Sequence, residues 1–203
     1  MFNLKNTILI NGSSIPIATD FRIWLKFQDL IQNLKENKES FYKLLNFFIE
    51  IGLNLQIDQF EDALKEVVSF FSGEKQNKDN LEYRSEKVFD FHKDEKYIYS
   101  AFLQEYGIDL YEVEYLHWHK FKSLLQSLSE NCQLTKIIQY RSVDTSKMDK
   151  ENKKFYKKMK QVYALDIQEE KLTTEQYHNN IREKLKKRFE DIQKIKGGEI
   201  MNE

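Results

Sequence analysis

The side chains best suited to catalysis or metal binding are four histidines and one cysteine, and their spacing favours neither role. His117 and His119 form a His-x-His pair within a segment whose apolar pattern predicts a helix. Helical positions two apart point about 200° away from each other, so this pair is not expected to chelate one ion. We interpret His117 as a hydrogen-bonded residue at the core edge and His119 as exposed. Cys132 has no CxxC companion and no histidine partner in a catalytic pattern.

Known catalytic signatures are missing from the sequence. It contains no phosphate-binding glycine-rich loop, dinucleotide fingerprint, HExxH motif, nucleophile elbow or calcium loop. Carboxylates are plentiful, but none forms a distinctive pair. We therefore expect no enzymatic activity, no catalytic residue, no cofactor and no metal site.

The composition favours helices. Only 6 Gly and 1 Pro occur in 203 residues, which argues against a turn-rich sandwich, barrel or propeller. The 32 basic and 33 acidic residues leave a formal charge of −1, so no global field selects DNA or a membrane surface. A single cysteine excludes an intramolecular disulfide and fits a reducing compartment. No apolar run approaches the roughly 18 residues of a membrane span, and residues 1–13 lack the apolar core of a signal peptide.

The order of apolar and breaking residues predicts a mainly α fold, a multi-helix bundle with a small N-terminal β-hairpin. Asn11-Gly12 lies between the β-rich runs 7–10 and 15–18, which is a strong hairpin signal. Helix starts are predicted at Thr19 or Asp20 and at other Ser, Asp and Thr residues, and several glycines are predicted to end helices. The predicted helices are 20–35, 41–51, 59–72, 95–106, 110–128, 133–141, 149–163, and a last one from Thr174 to about 197. The predicted caps are Ser40, Asp58, Asp94, Asp109 and Thr174, and the predicted ends include Gly52, Gly73 and Gly107.

Domain organisation follows from the same pattern. Residues 1–165 are expected to form a helical body that includes the hairpin in 1–18. A polar, charged segment at 74–88 is interpreted as a linker between two helical halves; the alternative is a frayed, solvent-facing helix. Residues 166–203 are expected to form a C-terminal helical extension.

An aromatic arc on the predicted helix 110–128 is the first candidate partner-binding surface. Tyr111, Tyr115 and Trp118 lie beside a second arc of apolar residues. Together the arcs are wider than one ordinary core contact requires. Either this helix is central in the domain, or the aromatic arc binds a partner.

The last predicted helix carries a narrow apolar stripe, the second candidate. Such a stripe suits one groove or one partner helix, so it either docks on its own body or binds another chain. The candidate binding residues here are Tyr177, Ile181, Leu185 and Phe189.

Lysines line one side of the predicted helix 149–163. Seven lysines stand against Asp149 and Glu151, which gives a local charge near +5. This is either a solvated face or an electrostatic patch for phosphate or an acidic protein partner. Met148, Phe155, Met159, Val162 and Tyr163 are expected to face the other way, so the patch lacks the exposed aromatics typical of nucleic-acid surfaces. The candidate patch is Lys150, Lys153, Lys154, Lys157 and Lys158, continued by Lys147 and Lys160.

Three stretches of the sequence carry a resemblance to a known family. The first joins Ile10-Asn11-Gly12 to the run TDFRIWLKF at 19–27. The second runs from Phe89-Asp90-Phe91 through YGIDL at 106–110 to EYLHWHKF at 114–121. The third contains Tyr140-Arg141-Ser142, FYKKMK at 155–160 and Tyr163-Ala164-Leu165. In these residues the chain resembles the bacteriophage "gene product fifteen" family of siphophage and prophage tail modules.

The resemblance implies a non-enzymatic tail assembly chaperone that binds the tape-measure protein, with tail-tube subunits and a homo-oligomer as further contacts. It also implies action in the cytoplasm of the bacterial host and absence from the mature virion. No membrane partner is expected, and nucleic acid is not the expected ligand. The alternatives are a helical nucleic-acid-binding or regulatory phage protein that uses residues 147–160, or a structural tail component.

Overall fold

A computed structural model describes residues 4–33, 38–56, 59–73 and 88–165. Its elements, in chain order, are β1 (Thr7–Ile10), β2 (Ser13–Pro16), α1 (Phe21–Gln32), α2 (Lys38–Glu50), α3 (Phe60–Ser72), α4 (Glu95–Tyr106), α5 (Trp118–Gln126), α6 (Gln133–Ser142) and α7 (Lys150–Val162). The predicted mainly α fold with a small N-terminal hairpin is confirmed. Within the described ranges, no helix combines the length and apolar character needed to cross a bilayer. Most of the predicted linker and the whole C-terminal extension lie outside the described residues.

The chain divides into two compact units. Among the described residues, unit 1 consists of those up to residue 73 together with His117–His119. Unit 2 consists of residues 88–116 and 120–165. Tyr111, Tyr115 and the candidate lysines therefore belong to unit 2, whereas Trp118 belongs to unit 1.

The hairpin of unit 1 forms as its turn residues dictate. Asn11 and Gly12 both have positive φ, at 49° and 76°, as the two-residue turn of a hairpin requires. The antiparallel register pairs Thr7 with Pro16 and Ile10 with Ser13. Alternate side chains point to opposite faces, and this buries Ile8 and Ile10, on the strand that packs against α3.

An aromatic cluster forms the core of unit 1. Trp24 of α1 lies at its centre, with ring centroids 5.8 Å from Phe27, 5.7 Å from Phe47 and 4.5 Å from Phe70. The Trp24 indole N–H donates to the Ala18 carbonyl at 3.0 Å, so the one polar atom of that ring has a partner. Asp20 caps α1 as predicted, accepting the Arg22 N–H. α2 begins at Lys38, ahead of the predicted start after Ser40, and the predicted cap Asp58 lies outside the described residues.

The helices α4, α6 and α7 of unit 2 begin and end close to the predicted residues. Asp149 caps α7 by accepting the N–H groups of Asn152 and Glu151. The bonds from the backbone and side-chain amides of Asn152, together with that from Glu151, lower the pKa of its carboxyl. Gly107, with φ 64°, ends α4 in the left-handed conformation. Asp94 occupies the predicted N-cap of α4, but its side chain makes no capping bond there.

The predicted helix 110–128 is wrong for its first half, because α5 begins only at Trp118. Asp109 starts a single turn, in which its carboxylate accepts the N–H groups of Tyr111 and Glu112. The chain then forms an isolated β-bridge between Asp20 and His117, and the Trp118 N–H donates to Thr19 at 2.7 Å. These tertiary bonds require an extended backbone at residue 117, so they override the local helical pattern.

Candidate partner-binding surfaces

Exposed tyrosines line the segment that precedes α5 in unit 2. Tyr111 and Tyr115 are 65% and 55% exposed. The turn at Asp109 lays the Tyr111 ring against Tyr99 of α4, with centroids 4.7 Å apart. Leu103, another exposed residue, follows Tyr99 by one helical turn and therefore lies on the same side of α4. We group Tyr99, Leu103 and Tyr111 with Tyr115, which follows Tyr111 by four residues in the same segment, and call these four residues the tyrosine surface.

Hydrogen bonds fix two hydroxyls of the tyrosine surface. Tyr111 donates to Glu95 at 3.0 Å, and Tyr99 donates to Asp109 at 3.1 Å. Each carboxylate favours the protonated phenol, and this raises the pKa of both tyrosines. At neutral pH both are neutral donors, and the Tyr99 and Tyr111 rings are held in place.

Trp118 does not belong to this surface, and its predicted place beside Tyr111 and Tyr115 is wrong. It is only 1% exposed. Its ring stacks on Phe71 with centroids 5.3 Å apart, and its indole N–H donates to the Phe71 carbonyl at 2.9 Å. The prediction placed Trp118 and the tyrosines on one face of a single helix. In the structure, α5 begins at Trp118, so Tyr111 and Tyr115 are not on that helix. Trp118 is a core residue of unit 1.

The two histidines next to Trp118 are also placed differently from the prediction. Their rings lie 5.3 Å apart, so they do not point in opposite directions. His119 is half-buried, not exposed: its ring stacks on Phe70, and its Nε2 lies 2.7 Å from the Phe70 carbonyl. Among the described residues, no group of three or more His, Cys, Asp or Glu side chains could hold a metal ion.

His117 is buried and hydrogen-bonded at both ring nitrogens. Its Nδ1 accepts the His119 N–H at 3.0 Å, in the first turn of α5. Its Nε2 lies 3.0 Å from the Lys5 carbonyl, which only accepts, so the pattern assigns the proton to Nε2. Burial lowers the pKa of His117, which favours this neutral form. The prediction of a hydrogen-bonded histidine is confirmed.

The lysine face of α7 exists, but the helix is rotated relative to the prediction. Tyr156 and Tyr163 pack on Tyr140 of α6, with ring centroids 6.0 and 5.9 Å away. Phe155 and Val162, predicted to face the body, are 48% and 61% exposed. Tyr163 packs toward α6 as predicted, and the overlooked residue is Tyr156, which lies seven positions before it and so on nearly the same side of the helix. Of the candidate patch, the exposed members are Lys150, Lys154, Lys157 and Lys158, and Lys153 is half-buried.

The candidate residues of the last predicted helix lie outside the described residues. Tyr177, Ile181, Leu185 and Phe189 therefore remain a prediction from the sequence.

An ion pair that the sequence did not single out holds three segments of unit 2 together. Arg141 of α6 donates to both Asp94 oxygens, at 2.6 and 2.8 Å. The same guanidinium donates to the carbonyls of Val88 and Tyr163, at 3.0 and 2.6 Å. These bonds tie the entry to α4 and the end of α7 to α6, so they position the helices that carry both the tyrosine surface and the lysines.

Comparison with known protein families matches most of the chain. Neither the curated proteins nor the solved structures include a chain that matches this one. The sequence model of a family described as Bacteriophage Gp15 protein matches residues 3–165. That range contains all three stretches of the resemblance noted above. Because the match covers most of the chain, this protein belongs to the Bacteriophage Gp15 protein family.

Proposed function

We propose that this phage protein is a non-enzymatic tail morphogenesis factor, a tail assembly chaperone that binds the tape-measure protein. A tape-measure protein is a very long helical chain, and its hydrophobic stripes are uncovered until the tail tube surrounds it. The chaperone covers these stripes in the cytoplasm of the bacterial host and recruits tail-tube subunits. It leaves before the virion matures.

The exposed tyrosine surface is the observation that carries the proposal. Tyrosine combines a large apolar ring with a polar hydroxyl and has few rotatable bonds, so it is enriched where proteins bind each other. The rings of Tyr99 and Tyr111 pack against each other, and their hydroxyls donate hydrogen bonds to Asp109 and Glu95. A partner therefore meets rings that are largely ordered, which reduces the entropy lost on binding.

The tyrosine surface suits a partner that must be released again. Displacement during tail assembly requires moderate contacts repeated along the tape-measure chain, since many weak contacts give avidity that can be lost stepwise. A half-exposed tyrosine patch provides moderate contacts of this kind. Family membership supports a phage role, and the chaperone role itself is our inference.

Co-expression with fragments of the tape-measure protein from the same phage tests the proposal. The wild-type chain should raise the solubility of a fragment and co-purify with it. The variant Tyr111→Ala/Tyr115→Ala should lose the complex while its circular dichroism spectrum stays unchanged. The matched control is Tyr42→Ala/Ile49→Ala, which removes two α2 residues of similar exposure, 61% and 68%, in unit 1.

Two outcomes would contradict this function. One is a wild-type chain that binds no tape-measure fragment. The other is a tyrosine variant that binds as well as the control variant does. Trp118 is unsuitable for this test because its substitution would disturb the core of unit 1.

The exposed lysines of α7 favour a second candidate, a nucleic-acid-binding or regulatory role. Titration against duplex and single-stranded DNA at low and high salt separates the two candidates. Tight binding that weakens steeply with salt would favour the second, because phosphate contacts release counterions. A structural tail component is the remaining alternative, and mass spectrometry of purified virions would detect it.

A further inference from the structure

One edge of α7 combines exposed apolar side chains with lysines. Phe155 and Val162 are seven residues apart, so they lie on nearly the same side of the helix. Lys154 and Lys158 follow on the side of this apolar pair that faces away from α6. We call these four residues the α7 edge.

The opposite flank of α7 is already occupied. Tyr156 and Tyr163 pack on Tyr140, and Arg141 donates to the carbonyl of Tyr163. The helix is therefore held at its C-terminal end by contacts that do not involve Val162. Phe155 and Tyr140 form a T-shaped ring pair, with centroids 6.1 Å apart, and Phe155 still keeps about half of its surface exposed.

Lysines give α7 a strong net positive charge. α7 contains six lysines and one glutamate, and Asp149 caps its start. Among the described residues, no ion pair involves any of these lysines. Lys150, Lys154 and Lys158 follow each other at four-residue intervals, where like charges repel and destabilise a helix. An acidic partner would relieve this repulsion.

We propose that the α7 edge docks an acidic amphipathic helix of a protein partner. The apolar stripe of that helix packs on Phe155 and Val162, and its Glu and Asp side chains pair with Lys154 and Lys158. The apolar pair favours a protein helix over nucleic acid. Single-stranded nucleic acid stacks its bases on successive aromatic rings, and Val162 is aliphatic, whereas an amphipathic helix packs on apolar side chains of either kind. This docking site shares no residue with the tyrosine surface and does not depend on the tape-measure proposal.

A synthetic peptide tests the proposal on the full chain. The probe is a fluorescein-labelled helical peptide of about 18 residues, or five turns, with leucines on one stripe and glutamates beside it. Its control has the same composition in a scrambled order without a stripe. Fluorescence anisotropy should show binding of the striped peptide at least about tenfold tighter than that of the scrambled one, and binding should weaken as salt is added.

Substitutions then locate the binding site. Phe155→Ser/Val162→Ser and Lys154→Glu/Lys158→Glu should each weaken binding of the striped peptide by at least about tenfold. All four side chains are exposed, and circular dichroism checks that each variant folds. The controls are Ile49→Ser, an exposed apolar residue of α2, and Lys120→Glu, the same charge change at another exposed position in unit 2.

The proposal fails on any of three results. These are equal binding of the scrambled peptide, unchanged affinity in both α7-edge variants, or an edge that binds single-stranded or duplex oligonucleotides but not the striped peptide. The last result would assign the edge to nucleic acid. None of these measurements uses the tape-measure protein, so failure here is distinguishable from failure of the proposed function.

Discussion

Removing Arg141 should destabilise unit 2 more than any substitution of its exposed residues. The side chains of Arg141 and Asp94 are 9% and 1% exposed, and they form a bidentate ion pair. In Arg141→Ala, one Asp94 oxygen loses its donor, although the other still accepts the Asp90 N–H. The Val88 and Tyr163 carbonyls lose a donor as well. Breaking a buried pair from one side costs about 3–5 kcal/mol, so we expect a loss of that size.

The double variant Asp94→Leu/Arg141→Met separates the charge from the packing. It replaces both partners by apolar side chains, so no buried charge is left alone. Its loss of stability should be clearly smaller than the sum of the losses in Asp94→Leu and Arg141→Met. The difference measures the coupling of the pair in a double-mutant cycle.

The assay must report on unit 2. Both tryptophans, Trp24 and Trp118, belong to unit 1, so their fluorescence is unsuitable. Urea unfolding followed by far-ultraviolet circular dichroism gives the free energy of unfolding. Hydrogen exchange in peptides from α4 and α6 shows whether the loss of stability lies in unit 2. A loss below about 1 kcal/mol for Arg141→Ala would refute the reasoning, because that is the size of an exposed pair. Additive single losses in the cycle would refute it too.

Two further predictions concern unit 1. Burial lowers the pKa of His117 from its ordinary 6.5, so the unfolded chain takes up its proton first as the pH falls. The free energy of unfolding should therefore fall below about pH 6.5. His117→Asn can still accept the His119 N–H but does not titrate, so its free energy of unfolding should depend less on pH. If urea unfolding gives the same pH dependence for the variant and the wild-type chain, His117 is not the group responsible. Trp118→Phe keeps the stacking on Phe71 but removes the indole N–H that donates to the Phe71 carbonyl. Urea unfolding monitored by Trp24 fluorescence should show a free energy of unfolding lower by about 1–3 kcal/mol. An unchanged urea midpoint would contradict this prediction.

Local signals in the sequence were sufficient for much of the fold. Asn11-Gly12 predicted the hairpin because its positive φ angles are a property of the turn alone. Asp20 and Asp149 predicted helix starts because each carboxylate bonds only to the next few residues. Gly107 predicted a helix end for the same reason. These features require no knowledge of the distant chain.

The errors occurred where distant residues decide the conformation. The helix predicted from residue 110 is interrupted because residues 117 and 118 bond to Thr19 and Asp20, about a hundred positions earlier. This change removed Trp118 from the candidate surface and left Tyr111 and Tyr115 exposed. Local periodicity could not foresee a bridge between residues so far apart.

The rotation of α7 shows a second limit. Phe155 with Val162, and Tyr156 with Tyr163, both have helical spacing, so periodicity alone does not select which pair packs. Tyr140 on α6 selects the tyrosines. The Arg141–Asp94 pair was missed for a similar reason, since its partners are 47 residues apart.

The most direct test of the central claim is isothermal titration calorimetry of the purified chain with a soluble tape-measure fragment. We expect binding with a negative heat-capacity change, the signature of apolar burial, and affinity at least about tenfold weaker for Tyr111→Ala/Tyr115→Ala than for Tyr42→Ala/Ile49→Ala. No heat of binding across fragments that span the tape-measure protein, or equal affinity of the two variants, would contradict the account.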